Sequence, residues 1–142
     1  MKRISEIITV RTEVYCVHPD DTVHEAARRM AEWNVRAVTV CKDNRVVGIV
    51  SNWDFLTKVL AQGQDPKTTR ISEVMTSDPM TVTPDASYAE CLVTMLENDF
   101  QHLVVVSERG EPLGTVAIGD LLKIDKAERD EMLRFYHNMF MA

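Results

Sequence analysis

The chain has 142 residues, of which 45% are hydrophobic and 27% charged, a composition typical of a folded globular protein. Its formal net charge of -6 at pH 7 repels polyanions, so the sequence argues against nucleic-acid binding. The sequence shows no apolar run of membrane-spanning length and no apolar core of a signal peptide at its start, so we expect a cytoplasmic protein without membrane contact.

Short motifs from the first half of the chain recur in the second half in the same order. Ile4–Ile7 (ISEI) returns as Ile71–Val74 (ISEV), and Val17–Asp20 (VHPD) returns as Val82–Asp85 (VTPD). An internal repeat of this kind indicates two small similar units that share a core. The predicted segments are repeat 1 over 1–62, a linker over 63–70, repeat 2 over 71–125 and a C-terminal helix over 126–142.

A helix is predicted near the start of each repeat. Thr22 with Glu25, and Ser87 with Glu90, have the S/T-x-x-E spacing of a capping box, in which hydroxyl and carboxylate satisfy free backbone amides. Behind each box, apolar residues recur with the spacing of one buried helix face. They are Val23, Ala26, Ala27 and Met30 in the first repeat, and Tyr88, Cys91, Leu92 and Met95 in the second.

Two strands and a second helix are predicted after each of these helices. Runs of β-branched residues favour strands, and polar turns separate them. The predicted strands cover 35–41 and 46–50 in the first repeat, and 103–106 and 113–117 in the second. The second helices are predicted to begin at Asn52 and Asp120. A short Val-x-Pro strand, Val17–Pro19 and Val82–Pro84, precedes the first helix of each repeat. The fold class is therefore α/β (α+β), with two β-α-β-β-α repeats packed about a pseudo-twofold axis and clefts where the repeats meet.

The stretch GIVSNWDF, residues 48–55, places Ser51 and Asp54 three residues apart after a strand. This spacing fits a helix cap, because the hydroxyl accepts a hydrogen bond from a free amide and the helix dipole favours an acidic first turn. It also fits a binding site, because a carboxylate can accept hydrogen bonds from both hydroxyls of a cis-diol. The second repeat keeps Asp120 but has Ala117 at the serine position, which favours a binding role for the aspartate.

Other chemistry is not indicated by the sequence. Cys16, Cys41 and Cys91 are odd in number and widely spaced, so they predict neither a disulfide framework nor a metal site, and we interpret them as core thiols. Motifs of nucleophilic, zinc-dependent and phosphate-loop enzymes are missing, so we expect no enzyme activity.

An apolar stripe is predicted on a C-terminal helix. Its residues are Met132, Phe135, Tyr136 and Met139, spaced i, i+3, i+4 and i+7. The stripe packs either on its own module or against another chain. The sequence alone leaves both alternatives open.

In their repeated order these motifs resemble a tandem cystathionine-β-synthase (CBS) domain pair, also called a Bateman module. The resemblance extends to about residue 125 and rests on Glu73–Thr76 (EVMT), Gln101–Val106 (QHLVVV) and the Gly-x-x-Ser-x-x-Asp element of Gly48–Asp54. It implies a regulatory module that binds an adenosine-containing ligand, such as AMP, ADP, ATP, NAD or S-adenosylmethionine, and requires no cofactor. It also implies a homodimer and a separate regulated protein as partner.

The resemblance also implies roles for individual residues. Asp54 would accept hydrogen bonds from the ribose hydroxyls, and Ser51 would contact ribose or phosphate. Arg36 and His102 hold matching repeat positions and would face phosphates, with Lys58 as a further cation. Their alternative roles are those of a solvated surface arginine and of a histidine satisfied beside a strand.

Further candidates lie outside this group. Thr69 and Ile71 would contact the base, and Asp120 would serve the second cleft. Gln101 and Val104 depart from the family pattern, which often has a basic residue and a proline at these positions. We therefore expect the two clefts to differ in their ability to bind a ligand. We favour the cleft with Ser51 and Asp54.

A homodimer would use aromatic anchors on the C-terminal helix, and these are Phe135, Tyr136 and Phe140. The alternative function is a ligand-free dimerisation or scaffold module, in which Ser51 and Asp54 are only a helix cap.

Overall fold

The computed structural model of the chain describes residues 3–8, 15–98, 102–121 and 126–140. These residues form two compact units. The first unit contains residues 15–79 and 109–112, and the second unit contains the described residues of 3–8, 80–108 and 113–140.

Helices and strands alternate along both units in a mixed α+β fold, as predicted. In chain order they are α1 (Ser5–Ile8), β1 (Cys16–Val17), α2 (Val23–Trp33), β2 (Ala37–Lys42), β3 (Arg45–Ser51), α3 (Asn52–Phe55), α4 (Ile71–Val74), β4 (Thr76–Ser77), β5 (Thr81–Val82), α5 (Tyr88–Asn98), β6 (His102–Val106), β7 (Pro112–Ala117), α6 (Ile118–Leu121) and α7 (Lys126–Phe140). After α3 the chain continues as a π-helical turn, Leu56–Leu60. One sheet has the strand order β1-β2-β3-β4, and the other has the order β5-β6-β7.

Helices α2 and α5 begin where capping boxes are predicted, with the hydroxyl half of the box formed at α2 and both halves formed at α5. At the start of α2, the Glu25 amide donates to Thr22 Oγ1 over 3.2 Å. At the start of α5, the Glu90 amide donates to Ser87 Oγ over 3.1 Å, and the Ser87 amide donates to Glu90 Oε2 over 3.3 Å. The apolar face of each helix is buried or half-buried, because hydrophobic spacing turns the same side of every turn towards the sheet.

Each unit has its own hydrophobic core. The buried core of the first unit comprises Val17, Val23, Ala26, Met30, Val38, Val40, Val50, Val59, Ile71 and Val74. The buried core of the second unit comprises Ile4, Tyr88, Ala89, Cys91, Met95, Leu103, Val105, Val116 and Met132. The methionines of both helices therefore serve as packing residues.

The first unit contains a short helix that the sequence pattern did not predict, α4. Its first residues donate backbone hydrogen bonds to the loop before α2: Ile71 N to the Asp21 carbonyl and Ser72 N to the Pro19 carbonyl, both over 2.9 Å. The guanidinium of Arg70 also donates to a carbonyl of this loop, that of Asp20, over 2.5 Å. The segment that opens the second sequence repeat is therefore part of the first unit.

The second unit repeats this arrangement with α1. Ile4 N donates to the Ala86 carbonyl over 2.9 Å, and Ser5 N donates to the Pro84 carbonyl over 2.8 Å. Each short helix is thus bonded to the loop before the long helix of the other sequence repeat. The boundaries predicted at 62, 70 and 125 divide sequence repeats, whereas the compact units form across those boundaries.

Strand β4 approaches β3 closely at Gly48. Gly48 pairs with Ser77, and a Cβ atom at position 48 would lie 2.5 Å from Met75 Sδ and 2.9 Å from the Thr76 carbonyl oxygen. Real Cβ contacts are longer than these distances. Glycine is therefore required here by the space between two backbones.

Gly48→Ala is expected to lower the free energy of unfolding by about 1–3 kcal/mol, because the added methyl group overpacks the β3–β4 junction. Denaturant unfolding of the purified variant measures this loss. Gly119→Ala is the matched control, since nothing lies within 4 Å of a Cβ at position 119. Equal stability of Gly48→Ala and the parent protein would show that β4 does not lie against Gly48 in solution.

The C-terminal helix α7 packs on the second unit. Met132 is buried in that unit's core, and Phe135 packs against the same core. The rings of Tyr136 and Phe140 are in contact with 4.9 Å between their centroids. Intramolecular packing, one of the two predicted alternatives, therefore accounts for the first half of the stripe. Within the described ranges, no helix has the length and apolar character that a membrane span requires.

Candidate functional site

Ser51 and Asp54 form a complete capping box at the junction of β3 and α3. The Ser51 backbone is extended (φ -126°, ψ 166°), and its hydroxyl oxygen accepts from the Asp54 amide over 3.4 Å. The Asp54 Oδ2 atom accepts from the Ser51 amide over 2.8 Å and from the Ser51 hydroxyl over 3.2 Å. The helix-cap prediction for these two residues is therefore confirmed.

Lys58 forms an ion pair with the other oxygen of the Asp54 carboxylate. Its Nζ atom lies 3.0 Å from Asp54 Oδ1 and donates to the Val74 carbonyl of α4 over 2.9 Å. The pair is spaced i, i+4, which puts both side chains on one face of the helical segment. Lys58 consequently links the start of α3 to the end of α4 within the first unit.

Hydrogen-bonding capacity remains on both members of the box. An ionised carboxylate offers about four acceptor positions, and Ser51 and Lys58 use three of those on Asp54. The Ser51 hydroxyl uses its donor and one of its two acceptor positions within the box. Two acceptor positions are thus left on adjacent side chains, and the Asp54 side chain is 15% exposed.

Arg36 is joined to the same junction through its backbone. The Arg36 carbonyl accepts from the Asn52 amide over 2.9 Å, and its neighbour Ala37 pairs with Ser51 across β2 and β3. Arg36 is exposed. The structure therefore brings Ser51, Asp54 and Lys58 together, and the Arg36 backbone is bonded to the same junction.

Thr69 and Ile71 lie in the same unit with buried side chains. The Thr69 hydroxyl donates to the Asp65 carbonyl over 2.7 Å, and the Thr69 carbonyl accepts from the Val23 amide over 2.9 Å. Ile71 belongs to the core and is 0% exposed. Their predicted contact with a base stays a prediction, and the contacts present here are structural.

His102 and Asp120 belong to the second unit. His102 is half-buried at the start of β6 and directly precedes four buried residues, as Arg36 does in the first unit. The strand registers nevertheless differ from the predicted match: Val17 pairs with Val40 and Val82 pairs with Val105, so His102 corresponds to Ala37 and the predicted match of Arg36 with His102 is wrong. Asp120 lies in α6, and its side chain is outside the described part of the structure.

The interpretation of all three cysteines as core thiols holds for Cys91, which is buried, and is wrong for Cys16 and Cys41. Cys16 lies on the two-residue edge strand β1, so its side chain and that of Cys41 remain half-exposed. Their sulfur atoms are 3.1 Å apart. Sequence spacing could not reveal this pair, because the contact depends on which strands are neighbours in the sheet.

The repeated elements and the helix start at Ser51 define a tandem-repeat α+β protein. The CBS domain family model matches residues 4–61 and 71–127. The chain belongs to the CBS domain family, and the resemblance seen in the sequence is confirmed.

Similar proteins from Arabidopsis thaliana include CBSX3 and CBSCBSPB3. The mitochondrial CBS domain-containing protein CBSX3 is 32% identical over 120 residues, which cover 81% of this chain and 58% of that protein. CBSCBSPB3 is 33% identical over 124 residues, which cover 87% of this chain and 22% of that protein. The chain thus spans only part of the length of these relatives.

Solved structures of CBS domain proteins have the same fold. One from Burkholderia ambifaria MC40-6 has a TM-score of 0.80 and 32% identity, covering 86% of this chain and 92% of its own. One from Pyrobaculum aerophilum, complexed with AMP, has a TM-score of 0.83 and 25% identity, covering 94% of this chain and 99% of its own. The fold class predicted from the sequence is confirmed.

Proposed function

We propose that the chain is a regulatory module that binds an adenosine-containing ligand, with the ribose at Ser51 and Asp54. Membership of the CBS family supports this proposal, as does the AMP bound to the Pyrobaculum aerophilum protein. The observation that carries it is the capping box of α3, which keeps acceptor capacity on two adjacent side chains.

The spare acceptors fit a vicinal diol. One ribose hydroxyl donates to the remaining position on Asp54, and the neighbouring hydroxyl donates to the remaining position on the Ser51 oxygen. The carboxylate is charged, so its hydrogen bond to a hydroxyl is of the stronger, charge-assisted kind. Neither bond requires the helix cap to open.

The nearby cations suit a phosphate. Lys58 is 43% exposed on its side chain and is already held beside Asp54, while Arg36 is exposed beside Asn52. In a chain of net charge -6, local positive charge is what an anionic ligand needs for binding. AMP, ADP, ATP and NAD present such phosphates, and S-adenosylmethionine does not.

The choice of acid at position 54 also favours a ligand role. At the starts of α4 and α5, the carboxylate of the capping box belongs to a glutamate. Glu73 Oε2 accepts from the Arg70 amide over 2.6 Å, and Glu90 Oε2 accepts from the Ser87 amide over 3.3 Å. The shorter Asp54 stands at the end of β3, and the second repeat has Asp120 at the equivalent place. Capping alone does not explain why aspartate is used at these two positions.

The remaining parts of the proposal concern partners. We place a homodimer contact at exposed apolar side chains of α7, Leu133, Met139 and Phe140. The module would act without catalysis, in the cytoplasm, on a separate regulated protein. His102, Asp120 and Thr69 stay as predicted ligand contacts, whereas the Ile71 side chain is surrounded by core residues.

A ligand-free scaffold is the second candidate. The complete capping box and the Lys58 bridge favour it, because both are stabilising contacts that need no ligand. Under this function Asp54 contributes stability alone.

Thermal unfolding with AMP, ADP, ATP, NAD, S-adenosylmethionine and guanosine counterparts tests the proposal. An adenosine ligand at about 100 times its Kd adds about 2.7 kcal/mol of stability, which raises Tm by several degrees. 2′-Deoxy-AMP is the matched control, because it lacks one of the two hydroxyls. We expect it to bind about tenfold more weakly than AMP, since one of the two hydroxyl bonds to Ser51 and Asp54 is lost. No shift with any nucleotide, in folded protein free of bound nucleotide, would favour the scaffold.

A further inference from the structure

Cys16 and Cys41 lie on neighbouring strands of the first unit with their sulfur atoms 3.1 Å apart. Strands β1 and β2 are parallel, and Cys16 is the register partner of Thr39. Thr39 and Cys41 lie two residues apart on β2 and therefore face the same side of the sheet. The register between β2 and β3 shifts at Val47 of β3, which has no partner on β2. The side chains of β2 therefore still alternate between the two faces of the sheet.

Neither residue of the pair is fully buried. Cys16 and Cys41 are both half-buried, whereas Cys91 is buried. Thr39 Oγ1 lies 3.3 Å from the Cys16 sulfur and, by donating to the Tyr15 carbonyl over 3.0 Å, is itself fixed in place. The pair is therefore held by the sheet rather than by a loop.

The two thiols differ in acidity. The pKa of Cys16 is lowered to about 6, chiefly because the Cys41 thiol donates a hydrogen bond to the Cys16 sulfur. The same contact, together with burial, raises the pKa of Cys41. Cys91 contrasts with both, because burial in the core of the second unit raises its pKa to about 12. A thiolate is the reactive form of cysteine, so this order makes Cys16 the nucleophile.

We propose that Cys16 and Cys41 are a reversible thiol–disulfide site that is oxidised by hydroperoxides. The Cys16 thiolate attacks one oxygen of the hydroperoxide, the O–O bond breaks, and Cys16 becomes a sulfenic acid while the alcohol or water leaves. The Cys41 sulfur, having lost its proton, then attacks the Cys16 sulfur. The S–S bond forms as hydroxide leaves and is protonated to water. Two thiols and one hydroperoxide thus give one disulfide, one alcohol or water, and one further water.

The second step needs little movement. A disulfide has about 2.05 Å between its sulfur atoms, so the pair must approach by about 1 Å from its present separation. Rotation about the Cα–Cβ bonds of two half-exposed side chains can supply this approach. Disulfides that form and break in this way usually serve redox sensing rather than structure.

The test treats the purified, reduced chain with one equivalent of hydrogen peroxide, blocks remaining thiols with N-ethylmaleimide and measures the intact mass. We expect a monomer that has lost two hydrogen atoms, one blocked thiol at Cys91, and a peptide map that links Cys16 to Cys41. Dithiothreitol should restore the reduced mass. Without peroxide, iodoacetamide at pH 7 should modify Cys16 at least about tenfold faster than Cys91.

Three variants complete the experiment. Cys91→Ser should form the disulfide at the parent rate, because Cys91 takes no part. Cys41→Ser should stop at a sulfenic acid on Cys16 that dimedone traps, and Cys16→Ser should form no intramolecular disulfide. Circular dichroism checks that each variant is folded. Sulfinic acid or unreacted thiol at Cys16 in the folded parent protein, with no Cys16–Cys41 peptide, would overturn the proposal.

Discussion

Asp54→Asn is expected to weaken AMP binding about 10- to 100-fold. The substitution keeps the size of the side chain but removes the negative charge that Lys58 contacts and that we propose to bind a ribose hydroxyl. A hydrogen bond to a charged group is worth about 1.5–3 kcal/mol, and the amide turns one acceptor oxygen into a donor that opposes Lys58 Nζ. Isothermal titration calorimetry of AMP into the purified variant measures the loss.

Glu90→Gln is the matched control for Asp54→Asn. Glu90 makes the same reciprocal bond to a serine amide at the start of α5, but it lies in the second unit and has no proposed ligand role. Each substitution should lower stability by about 1 kcal/mol, the usual value of such a cap. Only Asp54→Asn should lose AMP. Equal AMP affinity in the two variants would make Asp54 a structural residue and favour the scaffold.

Features fixed by neighbouring residues could be predicted from the sequence. The Thr22 cap places the start of α2, because its hydrogen bond from the Glu25 amide joins residues three apart. The hairpin of β2 and β3 turns at Asp43 and Asn44, which both adopt positive φ (53° and 59°), as a two-residue turn requires. Local chemistry decides these elements before any tertiary contact forms.

Features that depend on distant partners could not be predicted. The helix α4 is only four residues long, and its position follows from bonds to the carbonyls of Asp21 and Pro19, about 50 residues earlier in the chain. Strand β4 has two residues, too few to show a period, and exists because Gly48 lets it approach β3. The π-helical turn after α3, closed by a bond from the Ala61 amide to the Leu56 carbonyl, has no sequence signal that separates it from an α-helix.

The candidate site shows the same division. Ser51 and Asp54 could be found from their spacing, since the cap they form is local. The bridge from Lys58 to the Val74 carbonyl could not be found, because it joins α3 to a helix beyond the linker. The sequence therefore identified Asp54 and Lys58, but not the Val74 carbonyl that also holds Lys58.

Ile71→Ala is expected to lower the free energy of unfolding by about 2–5 kcal/mol. Ile71 is 0% exposed in the core of the first unit, so the substitution leaves a cavity that the surrounding side chains fill only in part. Ile4→Ala should cost the same amount, because Ile4 is equally buried and α1 makes the equivalent backbone bonds in the second unit. Denaturant unfolding of both variants measures the two losses against a total stability of about 5–15 kcal/mol.

Ile71→Val separates the packing role of Ile71 from its predicted contact with a base. Removing one methyl group should cost about 0.5–1.5 kcal/mol of stability, which leaves the variant folded for AMP titration. We expect AMP affinity close to that of the parent protein, because the Ile71 side chain is surrounded by core residues. A loss of about tenfold or more in AMP affinity would instead assign Ile71 to the base. In that event α4 would carry a ligand contact as well as the carbonyl held by Lys58.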